Sequence, residues 1–558
     1  MRLMTTVAFT SALCSCLSAC QLTTTHEVPS KAIAPAPLSQ AADTWYQAGQ
    51  DAVEQARQRQ IDNRRGAAKN IILFVGDGMG ISTITASRIL AGQQRGLKGE
   101  EYNLSWDEFP YSGLVKTYNT NQQTPDSAGT MTAMMTGVKS KAGFIGVSET
   151  VARGDCQQYL AQGEPLVTAL ELAKLAGKKT GVVSTARITH ATPAATYAKS
   201  PERGWESDAD FDNNEAELGC VDIARQLIEF PQTFAERFGV NQANPQANTI
   251  DVVFGGGRRA FYGSDPADLT QFAQQANQGK RKDNRNLIAD WQQQGGLYVS
   301  DRQAMNLLTS QTTKPVLGLF NPSHMRYEAD RSGNSQEPSL TDMTNKAIEL
   351  LANDEQGYFL MVEAGRIDHG HHAGSAYNAL TDAVELSQAV AEALRLTDPS
   401  ETLIIVTADH SHVMTMSGYP TRGNPILGKV VGNDKQGNPT TKPTLALDGL
   451  PYTTLGYYNG RGHTHVQGRT NAGLRYKEPV FAGRHDLCEI ETTDSGFHQE
   501  ALVPLKSETH GGEDVGVYAN GPGAHLLSGT IEQNVIFHVM NHVADLSGQA
   551  QQQLQAQH

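Results

Sequence analysis

Short runs of β-branched and aromatic residues alternate along the chain with longer stretches whose apolar positions recur at helical spacing. That alternation predicts an α/β fold, a central and mostly parallel sheet wrapped by helices. Seven runs read as strands: Ile71–Val75, Thr180–Ser184, Ile250–Phe254, Val316–Phe320, Tyr358–Val362, Leu403–Thr407 and Val515–Ala519. Polar residues gather just beyond their carboxyl ends, at Asp77, Thr189-His190-Ala191-Thr192, Gly255-Gly256-Gly257, Glu363 with Asp368, and Asp409-His410. Open α/β sheets bind ligands in the crevice at that edge. An amphipathic helix is expected over Asp43–Gln60, before the first strand. From about Ser417 to Glu500 the alternation stops and Gly, Pro, Asn, Thr and Lys dominate, as in an insertion covering the sheet edge as a lid or a dimer contact. The Gln-rich end, Gln549–His558, is expected to fray.

At the other end, Arg2 precedes an apolar stretch, Val7 to Leu17, that is too short to span a bilayer. It runs into Leu17-Ser18-Ala19-Cys20, which resembles the lipobox of bacterial lipoproteins, whose cysteine becomes the lipidated first residue; a plain secretory signal cut nearby is the alternative. Gln21 resembles the sorting pattern for the outer membrane. The expected organisation is a lipoprotein-type signal over 1–19, a flexible tether over 20–42, one α/β domain over 43–547 with its insertion at 417–500, and a tail over 548–558. The chain is expected to be exported to the periplasm or outer membrane and to touch membrane only through lipid on Cys20. Export favours disulfides. With Cys14 and Cys16 in the signal and Cys20 lipidated, Cys156, Cys220 and Cys488 remain, one pair and one odd thiol. Cys488 is expected to be buried and inert.

The 558 residues carry 45 Lys and Arg against 59 Asp and Glu, a formal charge of -14. That balance argues against a nucleic-acid or anionic-membrane binder acting through bulk charge, so attraction of any anionic ligand must be local.

Three clusters supply chemistry. Glu363-Ala364-Gly365-Arg366-Ile367-Asp368-His369-Gly370-His371-His372 packs two carboxylates and three imidazoles at a strand end, and Asp368 and His372, four apart, share one helix face. Asp409-His410-Ser411-His412 follows another strand, and Thr509-His510-Gly511-Gly512-Glu513-Asp514 precedes the last. With Asp77 they offer oxygen and nitrogen ligands for more than one divalent ion and no thiolate, which favours hydrolytic Zn²⁺ or Mg²⁺ over structural zinc. His463 and His465 read as ordinary loop residues. Ser127, in Pro125-Asp126-Ser127-Ala128-Gly129-Thr130, stands where a turn enters a small-residue helix, a position suited to a phosphate or developing oxyanion. No Gly-x-Ser-x-Gly elbow surrounds it, so activation by metal is the better reading than a His-Asp pair.

These stretches, with Val75-Gly76-Asp77-Gly78-Met79-Gly80 and His190-Ala191-Thr192-Pro193, occur in the order found in the alkaline phosphatase family, which the chain resembles from about Lys69 to Leu546. The resemblance implies a phosphomonoesterase of broad range with two zinc ions and one Mg²⁺. It assigns Asp368, His372 and His510 to the first zinc, which activates water, and Asp77, Asp409 and His410 to the second, which lowers the pKa of the serine. Asp77, Thr192 and Glu363 fall to the third site. Ser127 matches the nucleophile that forms a phosphoserine, and Arg203 the arginine that grips the phosphoryl oxygens. A homodimer acting on small phosphate monoesters is the family expectation, with no nucleic acid as partner.

Two positions depart from the best-known bacterial form: His190 stands for an aspartate near the third metal and His369 for a lysine near the phosphate. Both resemble the animal enzymes. Imidazole in place of carboxylate shifts the third site toward Zn²⁺ or Co²⁺. Cys156 and Cys220 fall where the animal-type enzymes have a disulfide. Their extra Ca²⁺ site is not expected here, because Asn321 replaces a glutamate. The competing enzyme reading is a phosphodiesterase, phosphonate or sulfate-ester hydrolase of the same fold, against which Ser127 argues; a non-catalytic surface lipoprotein is the reading from another class.

Overall fold

The computed structural model describes residues 67–556, apart from 213, 242–244, 264–278, 334, 467 and 469. The signal, Cys20, the tether and the helix expected over Asp43–Gln60 lie outside the described residues.

A ten-stranded sheet organises the rest. Its strands are β1 (Asn70–Gly76), β2 (Tyr111–Lys116), β3 (Lys179–Arg187), β4 (Val252–Gly256), β5 (Leu297–Val299), β6 (Val316–Leu319), β7 (Tyr358–Ala364), β8 (Thr402–Ala408), β9 (Val515–Asn520) and β10 (Gly529–Glu532). The spatial order is β10-β2-β9-β8-β1-β7-β3-β4-β6-β5. All seven expected strands are present. The three that hydropathy did not reveal, β2, β5 and β10, lie at or near the sheet's edges, where partial exposure replaces continuous apolar runs; β2 shows half-buried and exposed positions in turn.

Central strands β1, β7 and β8 are buried along almost their whole length, as expected of a parallel sheet covered on both faces. Helices Ile81–Gln93, Leu340–Leu351 and Ala376–Leu396 pack together, and Ala169–Leu175 packs with Leu546–Ala556. As far as Ala556 the Gln-rich end is therefore helical, not frayed. Leu546, Ala550 and Leu554 recur every fourth residue, and this stripe seats against the core.

Strand β9 alone runs against its neighbours β8 and β2. A segment preceding an antiparallel strand lies at the same edge as segments following parallel ones. His510 thereby reaches the edge where Asp77, Glu363 and Asp409 emerge.

Residues 417–500 build no further βα units. Met414–Met416, Leu455–Gly460 and Ala501–Pro504 form a small sheet, and Met414, Ile426, Leu427, Leu455 and Tyr457 pack on Ala86, Ile89 and Leu90 of the helix Ile81–Gln93. Among the described residues no helix is long and apolar enough to cross a membrane.

Candidate functional site

Register brings the carboxylates together. Gly76 pairs with Ala364 on one side and Ala408 on the other, so Asp77 and Asp409 leave their strands at one level and Glu363, paired with Val75, lies two residues below. Gly78 follows with φ +71 and donates its N–H to Asp409 Oδ1 at 2.9 Å; a Cβ there would lie 2.3 Å from the His412 ring. Only glycine permits that approach.

Asp368, His372 and His510 converge first. His372 Nδ1 lies 2.7 Å from Glu508 O and His510 Nδ1 2.7 Å from Pro125 O. Carbonyl oxygens only accept, so each Nδ1 carries a proton and the Nε2 atoms are the ones left to take up a proton or a metal cation. The two Nε2 atoms face each other across 3.2 Å, with Asp368 Oδ1 at 3.3 and 3.4 Å. Three electron-rich atoms at that spacing repel unless a cation stands among them.

A second convergence joins Asp77, Asp409 and His410. His410 Nδ1 faces Ser411 O at 3.2 Å, leaving Nε2 as acceptor; it lies 3.5 Å from Asp77 Oδ1, 3.3 Å from Asp409 Oδ2 and 3.1 Å from Ser127 Oγ. Asp77 also stands in a third group, with Glu363 and His190. Thr192 is buried beside this group's strands, its Oγ1 unpartnered. Glu363 Oε2 accepts from Ser184 Oγ.

Burial first, then the charges of Asp409, Asp368 and Glu363, raises the Asp77 carboxyl well above its ordinary range. Burial likewise lifts Glu363 to about 7 and raises Asp409. Asp77 Oδ1 and Oδ2, Glu363 Oε1 and Asp409 Oδ2 are buried without a hydrogen-bond partner. Orphaned carboxylate oxygens beside imidazole lone pairs fit divalent cations, which would supply the missing partners. The donors are oxygen and nitrogen throughout.

Ser127 opens the helix Ser127–Thr136, and its cap is Asp126, which accepts from Gly129 N. Asp126 Oδ2 also accepts from Arg203 Nη1 at 3.1 Å and from Gly143 N at 2.9 Å. The guanidinium's Nη2 donates to His190 Nε2 at 3.2 Å. His190 and His369 ring centres lie 5.5 Å apart, and burial, then nearby arginines, holds both imidazoles well below their ordinary pKa. Both are therefore neutral. His324, which no sequence motif marked, packs against His369 at 4.0 Å between ring centres.

Two other residues of the site have roles that the sequence does not assign. His412 places Nε2 2.8 Å from Asp368 Oδ1 and Nδ1 2.6 Å from Glu508 Oε2, so both nitrogens donate and the ring is a cation. It orients Asp368 instead of offering a lone pair, although it stands within the first group. Its signal was its place in Asp409-His410-Ser411-His412. Glu508, one residue before Thr509, had none. His371 lies apart, bonded to Thr83 and Tyr457.

Cys156 and Cys220 are joined by a disulfide, against which Trp205 packs. Cys488 is exposed, not buried, because it sits in a loop of the insertion whose backbone follows Asp486. Asn321 Nδ2 donates to Glu337 at 2.6 Å, and His463 and His465 have local partners in His498 O and Asp494.

The fold is that of metal-dependent phosphatases already solved. The alkaline phosphatase of Thermus thermophilus superposes with a TM-score of 0.57 at 22% identity, covering 89% of this chain and 98% of its own, and that of the Antarctic bacterium TAB5 with 0.54 at 22%, covering 86% and 98%. The family model for alkaline phosphatase matches residues 68–546. The chain is 42% identical to the tissue-nonspecific alkaline phosphatase of Gallus gallus over 505 residues, 90% of this chain and 89% of the relative. It is 40% identical to the alkaline phosphatase of Gadus morhua over 504 residues, 90% and 96%. The chain belongs to the alkaline phosphatase family.

Metal-free protein isolates one electrostatic element. Against burial, Glu508 and Asp368 lift His412 to about 10, while His412 and His372 hold Glu508 at about 2. Glu508 stabilises the fold above its ordinary value near 4.3 and loses that contribution as pH falls toward 2; His412 stabilises below its ordinary value near 6.5 and loses it as pH rises toward 10. The pair's contribution is thus complete between about pH 4.5 and 6.5. Thermal melts of metal-free wild type and Glu508→Gln should differ most in that window, and a difference independent of pH contradicts the pairing.

Proposed function

We propose that this chain hydrolyses phosphate monoesters of broad range to alcohol and inorganic phosphate through a phosphoserine on Ser127. The observation that carries the reading is the setting of Ser127 Oγ: 3.1 Å from His410 Nε2, at a helix N-terminus, with Arg203 held on Asp126 beside it.

The Ser127 hydroxyl donates toward His410, and Asp126, the residue before it, holds Arg203, which also bonds His190. Arg203 is a planar fork suited to two phosphoryl oxygens. Asp126 and His190 fix its plane, so little rotamer freedom is lost when phosphate arrives. The free N–H groups of the first helical turn add positive potential at the attacked group. Asp368, His372 and His510 would hold one divalent ion, Asp77, Asp409 and His410 a second, and Asp77, Thr192 and Glu363 a third. When bound, the ions supply Lewis acidity that lowers the pKa of the serine hydroxyl and of water and offsets charge on the transferring group. We assign zinc to the first two sites and Mg²⁺, or Zn²⁺ or Co²⁺, to the third. Nothing in these residues reads the alcohol portion, hence the broad range.

Purified chain should release p-nitrophenol from p-nitrophenyl phosphate at alkaline pH, lose this activity to a chelator and regain it with Zn²⁺. Ser127→Ala should lower kcat by roughly 10³-fold or more. Full activity in Ser127→Ala, or in metal-free chain, would refute the reading.

The exported, lipid-anchored homodimer belongs to the same proposal. Tyr419 at 93% exposure and Leu447 at 110% give the insertion apolar side chains that a second copy would cover. Sedimentation should give twice the chain mass, and Cys20→Ser should move activity from the membrane fraction to the soluble one; a monomer, or an unchanged distribution, contradicts the respective part.

A further inference from the structure

A cavity of about 220 Å³ lies behind the turn that carries Arg203, and none of the carboxylates or imidazoles of the catalytic site lines it. Tyr159, Leu160, Phe230 and Phe234 give it apolar walls. Glu171, Lys199 and Arg237 give it a charged one. Lys199 Nζ donates to Glu171 Oε2 at 3.1 Å and Arg237 Nη1 to Glu171 Oε1 at 2.8 Å, so one carboxylate serves two cations. Thr168 N also donates to Glu171, which leaves that carboxylate fully engaged. The other carboxylate of the lining, Glu229, is already bridged to Arg225 and Arg285 at 2.8 Å each.

The cluster of Glu171, Lys199 and Arg237 therefore carries one positive charge in excess. Arg237 Nη2 has a partner in Pro165 O at 2.7 Å. Lys199 does not use its capacity: its ammonium has three donors and one hydrogen bond, and its side chain is 11% exposed. Idle donors on a cation among aromatic walls are costly, and burial accordingly lowers the lysine's pKa. An anion with an apolar body answers both features. An empty apolar cavity of about 150 Å³ accepts benzene, so the larger volume here admits one ring with a carboxylate attached.

We propose that this cavity binds a small hydrophobic carboxylate, its ring or short branched chain against the stacked pair Phe230 and Phe234 and its carboxylate on Lys199 and Arg237. The site stands independently of the catalytic assignment. It adjoins the phosphate-binding turn because Lys199 leads directly into Ser200–Trp205, and Cys220, another lining residue, is bonded to Cys156.

Titration calorimetry of the metal-loaded full chain with benzoate tests this, with benzamide as the neutral counterpart of equal shape. One saturable benzoate site per chain is expected, at least tenfold tighter than benzamide and unchanged by inorganic phosphate. Phe234→Trp, which fills the cavity, should abolish it, and Lys199→Met should reduce benzoate affinity to that of benzamide. Absence of saturable binding, equal affinity for the two compounds, competition by phosphate, or benzoate binding unaltered in both variants would overturn the proposal.

Discussion

Four carboxylates, Asp77, Glu363, Asp368 and Asp409, are buried within one sheet edge, and their mutual repulsion is the constraint around which the site is built. Taking ionised oxygens out of water is expensive, and placing them side by side compounds the cost. Of the four, only Asp368 has partners enough, the charges of His372 and His412 and hydrogen bonds from His412 and His510, to hold its carboxyl well below the ordinary range against burial. Asp77, Glu363 and Asp409 do not, and their carboxyls are pushed upward. Divalent cations remove that strain, and the histidine lone pairs aimed at the same points are arranged to share them.

The fold meets this constraint through rigid elements. Three adjacent buried strands, β1, β7 and β8, deliver Asp77 and Asp409 at one level and Glu363 two residues below, so their spacing is fixed by the sheet's own hydrogen bonds. The reversed strand β9 brings His510 to the same edge from the other chain direction. Ser127 and Arg203 come from outside the sheet and are tied together by Asp126, which caps the serine's helix and accepts from the guanidinium. A carboxylate with both tasks would couple the proposed nucleophile to the proposed phosphate grip.

Much of this is visible in the sequence because strand ends and candidate metal ligands coincide. The apolar runs before Asp77, Glu363 and Asp409 mark both the core and the residues it presents, and Asp368 with His372 shows helical spacing directly. What stays hidden is tertiary. Glu508 lies in a polar stretch that looks like any loop, and only its approach to His412 gives it a part. The donor role of His412 follows from two carboxylates meeting one ring, which no spacing reveals. Strands β2 and β10 are partly exposed and lack a continuous apolar run, and the Gln-rich end reads as polar because the three residues that seat it are few.

The count of metal ions per chain tests the central claim most directly. Asp77 belongs to two of the three groups of converging donors, whereas Asp368, His372 and His510 stand together without it. Elemental analysis of purified, dialysed protein should find three divalent ions in the wild type and one in Asp77→Asn. Wild-type protein that folds and turns over without bound metal, or an Asp77→Asn variant that retains all three ions, would contradict it.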